Sequence, residues 1–131
     1  MKDLCFVEWE ELLATHQSQL ELFGGQDGFI DEGVVRSAMA RAQFTAQYEP
    51  DADLADLAAE YFYGLATTQG FCDGNKRVAL AATSVFLRKN DWQMTITDEL
   101  MYILAMEVSV GRVAKETLAR ILRDHMEEIS E

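Results

Sequence analysis

Between Leu54 and Lys89 the chain carries two helix-length apolar segments joined by only a short polar loop. The first, Leu54 to Thr67, sets Leu54, Leu57, Ala58, Tyr61, Phe62 and Leu65 at spacings of three and four, the period of one helix face. The second, Val78 to Lys89, carries Val78, Leu80, Ala81, Val85, Phe86 and Leu87, apolar nearly all round. A helix of that kind is normally central and buried. The chain has 131 residues, 49% of them hydrophobic and one of them proline, which suits one all-α domain over residues 1–131 with a single core.

The joining loop reads Gln69-Gly70-Phe71-Cys72-Asp73-Gly74-Asn75-Lys76-Arg77. It opens the second helix, where backbone N–H groups lack helical partners and the dipole is positive, so it favours anions. Gly70 and Gly74 allow close backbone approach to a ligand. Lys76 and Arg77 add two cations, and arginine can hold phosphate oxygens bidentately. Asp73 is the one carboxylate, enough for Mg²⁺ when phosphate and water supply the other ligands. A nucleoside triphosphate with Mg²⁺ fits these features together. Taken singly, each residue is also explained as turn, cap or solvated face. A P-loop is excluded: the glycine spacing is short, Arg77 stands in the Ser/Thr place, and a helix precedes the loop.

The loop resembles the signature of the Fic/Doc family, H-x-F-x-[DN]-[AG]-N-K-R in its Doc (death-on-curing) branch. Phe71, Asp73, Gly74, Asn75, Lys76 and Arg77 coincide with it in register. The stretch DGFIDEGVVRSAMAR, residues 27–41, is similar to the family's G-x-x-[DE]-x-G-L-L-x-S-A-L-A-R segment. AAEYFYGL and VALAATSVFLRKNDW also resemble Doc counterparts, so the likeness spans roughly residues 1–125. It implies a compact bundle of about six helices with a short irregular flap. It further implies a toxin of a toxin–antitoxin system that moves phosphate, less readily AMP, from ATP to a hydroxyl of a target such as a translation elongation factor.

By matching positions, the resemblance makes Asp73 the Mg²⁺ ligand. Gly70, Gly74 and Asn75 would line the phosphates, Asn75 offering backbone and amide donors, and Lys76 and Arg77 would grip them. Asn75 and Arg77 join Gln69 as the catalytic set, and Phe71 anchors the loop. A lysine at position 76 goes with phosphorylation in the Doc branch. Gln69 is the departure, because the family has its catalytic histidine there. Imidazole titrates near neutral pH and accepts the proton of the attacking hydroxyl. A carboxamide can orient that hydroxyl but cannot act as a base. Losing a positioned base costs about 10²–10⁴ in rate.

The expectation is a chain that binds nucleotide and transfers poorly. Two alternatives stand beside it: a non-catalytic Fic/Doc-fold protein binding nucleotide or an antitoxin-like partner, and a transferase in which Gln69 orients the hydroxyl. The family's internal inhibitory motif, [ST]-x-x-x-E-[GN], is missing, since Gly28 stands four before the Glu32-Gly33 pair. Inhibition is therefore expected in trans, from a Phd-like antitoxin.

A net charge of −12 and pI of 4.4 speak against nucleic acid or anionic membrane as partners. The N-terminus lacks a signal-like apolar run, no segment has transmembrane length, and two cysteines make no disulfide framework, all pointing to the cytoplasm. Cys72 reads as a free thiol at the motif's variable position.

Outside the loop, Val7–Phe23 reads as a first helix ended by Gly24-Gly25, with Trp9 in the core. Asp31 caps a second helix through Arg41. Residues 43–53 read as the least regular part, with Pro50 as breaker. By position the resemblance makes them a flap beside the site, while the residues alone read equally as a surface connection anchored by Phe44 and Tyr48. Asp53 caps the next helix. Residues 92–96 read as briefly extended, followed by a helix from Thr97 or Asp98 to Val108 and a last one from Lys115 to Ile129. His16 and His125 read as surface residues.

Overall fold

A computed structural model describes residues 3–130. They form α1 (Trp9–Phe23), α2 (Glu32–Tyr48), α3 (Leu54–Thr68), α4 (Asn75–Lys89), β1 (Trp92–Met94), α5 (Asp98–Ser109), α6 (Lys115–Asp124) and β2 (Met126–Glu128). The expected bundle of about six helices is present, and a small two-stranded sheet is added to it.

Local chemistry explains the helix starts. Glu8 and Glu11 make a reciprocal capping box at α1, and Asp53 and Asp56 make another at α3. Asp31 accepts from the Val34 N–H, and Thr97 from the Leu100 N–H. Arg123 then grips both carboxylates of the α3 box, tying α6 to the start of α3.

The core is built around α3, which packs against α2, α4, α5 and α6. Leu57, Ala58, Tyr61, Phe62 and Leu65 are buried, and so is every residue from Leu57 to Phe62. α3 is therefore the more enclosed of the two apolar helices, ahead of α4, whose outer side carries the exposed Arg88 and the half-buried Ala81, Ser84 and Val85. Val78, Ala82, Phe86 and Leu87 form the inner face of α4. Each large apolar side chain so enclosed contributes about 1.5–3 kcal/mol by burial. Gly64 permits the crossing of α2 and α3, because a Cβ there would lie 3.1 Å from that of Ala38.

Two helix ends and the expected aromatic anchors depart most from the sequence expectation. α2 continues through Tyr48, so the irregular flap shrinks to residues 49–53. Ala42 is buried and Thr45 hydrogen-bonds to Glu60 of α3, which holds the extra turns against the core. Pro50 ends the helix, disfavouring helical geometry at the residue before it. Phe44 and Tyr48 are exposed and stack on each other, so neither anchors the segment to the core. Finally, α6 stops at Asp124, and β2 pairs antiparallel with β1 in the register Trp92↔Glu128, Gln93↔Glu127 and Met94↔Met126. An extended 92–94 segment alone would leave its backbone groups without ladder partners, and the C-terminal residues supply them.

Candidate functional site

α3 ends at Gln69, whose backbone turns left-handed (φ 50°, ψ 43°). Gly70 follows in a space that admits no side chain: a Cβ there would lie 2.3 Å from Val35 Cγ2 and 2.9 Å from the Asp31 carbonyl. Its own carbonyl accepts from the N–H groups of Ile30 (2.8 Å) and Asp31 (3.0 Å). Phe29 and Phe71 form an antiparallel bridge, and Cys72 N–H donates to Gly28. The segment before α2 therefore lashes the loop down along its whole first half.

The second half is closed from within. Asn75 Oδ1 accepts from Phe71 N–H (3.1 Å) and its Nδ2 donates to the Phe71 carbonyl (3.0 Å). The Asn75 carboxamide thus holds the loop with its oxygen and one of its two N–H donors, which leaves a second N–H and the backbone N–H for an acceptor outside the loop. Gly74 begins α4 at φ 82°, a conformation glycine adopts at no steric cost, and no side chain caps that helix. The first N–H groups of α4 thus keep their capacity for an external acceptor.

A column of stacked rings lies beneath the loop. Trp9 stacks on Phe29, Phe29 on Phe71, and Phe71 on His16, at centroid separations of 5.9, 5.0 and 3.8 Å. Trp9 and His16 are two turns apart on α1, about 10 Å at 1.5 Å per residue, and so bracket the two phenyl rings. Arg36 lies over the Trp9 ring, 4.0 Å from its centroid.

His16 is 2% exposed, and its Nε2 lies 2.7 Å from the Asp73 carbonyl. A carbonyl oxygen only accepts, so Nε2 carries the proton and donates it. His16 is therefore a buried support of the loop, not the surface residue expected. Its spacing contained the signal: Leu12, His16 and Leu20 recur every four residues on one face, and all three are buried. His125 is exposed, as expected, and donates from Nδ1 to the Ile121 carbonyl.

Above the loop opens a cavity of about 600 Å³ lined by Gln69, Cys72, Asp73, Gly74, Asn75, Lys76 and Arg77, with Phe23, Gly24, Gly25, Ala66 and Tyr102 completing the wall. The exposed Gln69 stands on this wall beside the cationic pair. The fold thus brings together all the expected site residues except Gly70, which is buried behind the loop. Lys76 and Arg77 have no carboxylate partner among the described residues. Arg77 instead lies against two rings, 3.8 Å from the centroid of Phe23 and 3.8 Å from that of Tyr102. Neither ring was singled out in the sequence, because an aromatic at a helix end and one on a later helix share no spacing with the motif.

Asp73 is exposed, and its Oδ2 accepts from Gln26 N–H at 2.7 Å. The close approach depends on Gly25, where a Cβ would fall 2.9 Å from that of Asp73. No group of three or more His, Cys, Asp or Glu side chains able to hold a metal occurs among the described residues. A cation at Asp73 would therefore need ligands from an anion and water, as Mg²⁺ does beside phosphates. Uncapped helix N–H groups, two unpaired cations and one carboxylate form a donor set that fits a magnesium-bound polyphosphate.

Elsewhere, a cavity of about 540 Å³ lies between the end of α2, α3 and α6. It contains the buried carboxylate of Glu60, held by Thr45 and by Lys115 Nζ at 3.0 Å. No helix among the described residues is long and apolar enough to cross a membrane.

The family model described as "Fic/DOC family" matches residues 6–87. The chain is 33% identical to "Protein kinase doc" of Escherichia phage P1 over 114 residues, covering 87% of this chain and 90% of that protein. It is 42% identical to "Toxin Doc" of Mycolicibacterium smegmatis over 74 residues, covering 55% of this chain and 56% of that protein.

Proposed function

Because this chain belongs to the Fic/DOC family, we propose that it is a Doc-type toxin whose loop binds ATP with Mg²⁺ and whose transfer chemistry is attenuated by Gln69. The observation that carries the reading is the wall of the cavity: an uncapped helix N-terminus, Lys76 and Arg77 without acidic partners, and Gln69 beside them. Bound there, Mg²⁺–ATP would supply the phosphoryl group to be moved. The α4 N–H groups, Lys76 and Arg77 would hold the phosphate oxygens and offset charge developing on them. Asp73 would take the cation. Gln69 presents a carboxamide to the incoming hydroxyl and orients it, but leaves its proton without an acceptor, which lowers the rate by about 10²–10⁴.

Support for the toxin assignment comes from the two relatives, one named a kinase and the other a toxin. Lys76 favours phosphoryl over adenylyl transfer. The target is a hydroxyl of a protein of the translation machinery, and the restraint is a Phd-like antitoxin bound in trans.

The test uses γ-labelled and, separately, α-labelled ATP with Mg²⁺ and a bacterial elongation factor. It compares this chain with its Gln69→His variant and measures nucleotide binding on both. Transfer of the γ label by the histidine variant alone, with binding by both, is the expected result. Binding without transfer by either favours the non-catalytic alternative. Absence of nucleotide binding in both overturns the reading.

A further inference from the structure

The guanidinium carbon of Arg77 lies over two aromatic rings at once. Phe23, the last residue of α1, lies 3.8 Å from it on one ring, and Tyr102 of α5 lies 3.8 Å from it on another. Phe23 is 55% exposed, and the contact recorded for its ring is the Arg77 cation. Arg77 itself sits in the first turn of α4, so three separate helices meet at one planar cation.

We propose that Phe23 and Tyr102 are positioning residues for the anion site: two jaws that hold the Arg77 guanidinium so that only its N–H edge is open to the ligand. The inference rests on the phosphate-site reading above and assigns it a part that the signature loop does not contain. A free arginine side chain samples many rotamers, and ordering it on binding costs affinity. A guanidinium held against two rings has lost that freedom beforehand. Its donors lie in the guanidinium plane, so rings over its central carbon leave the bidentate fork unobstructed. The rings also replace the carboxylate that would otherwise neutralise the cation and compete with a phosphate. Lys76, with no such partners, contributes a mobile charge, whereas Arg77 contributes a fixed direction.

The experiment measures Mg²⁺–ATP and inorganic triphosphate affinity by calorimetry for the full chain. The variants are Phe23→Leu, Tyr102→Leu, the two combined, and the ring-conserving Phe23→Tyr and Tyr102→Phe. A ligand-free spectrum accompanies each, following the Arg77 Nε–H proton, assigned by its loss in Arg77→Lys. Cation–π contacts at exposed sites predict about two- to fivefold weaker binding for each leucine variant and more for the pair. Ring-conserving variants should keep parental affinity. Ring currents should displace the Arg77 proton in the parent, and leucine should return it toward the ordinary arginine position. In an Arg77→Ala background, the leucine substitutions should weaken binding no further, which separates positioning from a general loss of structure.

Leucine variants that bind as well as the parent or better overturn the clamp and leave the phosphate site standing. An effect that persists in Arg77→Ala also overturns it. A parent that binds neither ligand removes the phosphate-site reading, and the positioning role falls with it.

Discussion

His16 donates from Nε2 to the carbonyl of Asp73 across 2.7 Å, joining the middle of α1 to the turn that starts α4. The bond directs that carbonyl inward, onto α1 and away from the cavity.

Replacing His16 by phenylalanine should keep the stack on Phe71 and remove only the donor. An unsatisfied part-buried carbonyl costs about 1–2 kcal/mol, so urea unfolding should show a loss of that order. Nucleotide affinity should fall as well, because the turn before α4 is released. Alanine, which also removes the ring beneath Phe71, should cost about 2–4 kcal/mol. A phenylalanine variant as stable as the parent, with unchanged binding, would reject this account.

Gly70 lies behind the loop and outside the cavity, and its substitution should nevertheless disable the site. A methyl group there meets Val35 Cγ2 at 2.3 Å and Val34 Cγ2 at 2.8 Å, so backbone must move. Overpacking of this kind costs about 1–3 kcal/mol. Gly70→Ala should lower the thermal midpoint and weaken nucleotide binding together. By contrast, Gly111→Ala meets nothing within 4 Å but strains a backbone at φ +81°, so it should lower stability and leave binding by the folded protein unchanged.

Asp53 is pulled down from 3.8 to about 2, chiefly by its hydrogen bonds to Arg123 and then by those from Asp56. A carboxylate depressed on folding stabilises the fold at pH values above its unfolded pKa, and that contribution disappears as pH falls from about 4 to about 2. Both side chains are more than a third exposed, so solvent screening limits the effect to less than about 1 kcal/mol. Asn at 53 still caps a helix. Asp53→Asn should therefore be slightly less stable than the parent at pH 7 and equal to it near pH 2. Curves that stay parallel over that range would contradict the assignment.

Lys115 Nζ and Thr45 hold the buried carboxylate of Glu60. Lys115→Met should strand that charge and cost about 1–3 kcal/mol. Adding Glu60→Gln to it should recover part of the loss, since a neutral amide has less solvation to forfeit. Chemical denaturation of the single and double variants reads both effects. A double variant no more stable than Lys115→Met alone would show that the charge is not what is lost.

What the sequence made legible follows from the length scale of each signal. Apolar spacing within α3 and α4, and caps such as Asp31 and Asp53, act over one or two helical turns and were readable directly. The loop was readable because its chemistry is contiguous. The interior side of that loop was not, since His16, Phe29 and Phe71 meet only after α1 packs beneath them. Arg77 likewise looked like a free cation, because its rings come from α1 and α5. The end of α2 was hidden by composition: the mixed aromatic and polar run Phe44, Thr45, Gln47 and Tyr48 before Pro50 suggests a loop, but burial of Ala42 and the Thr45–Glu60 bond outweigh local preference. The end of α6 was misread for the opposite reason, because continued helical periodicity gave no hint that β1 needed a partner.

The left-handed turn at Gln69 has a bearing on heredity as well as on chemistry. Among residues with a side chain, histidine is one of those enriched in that conformation, so the main chain already has the shape an imidazole would need. Glutamine and histidine codons differ only at their third base. On the proposed reading, a silenced enzyme and an active one lie a single mutation apart, with no refolding between them. A lineage carrying this gene would have lasting reason to keep its restraining partner.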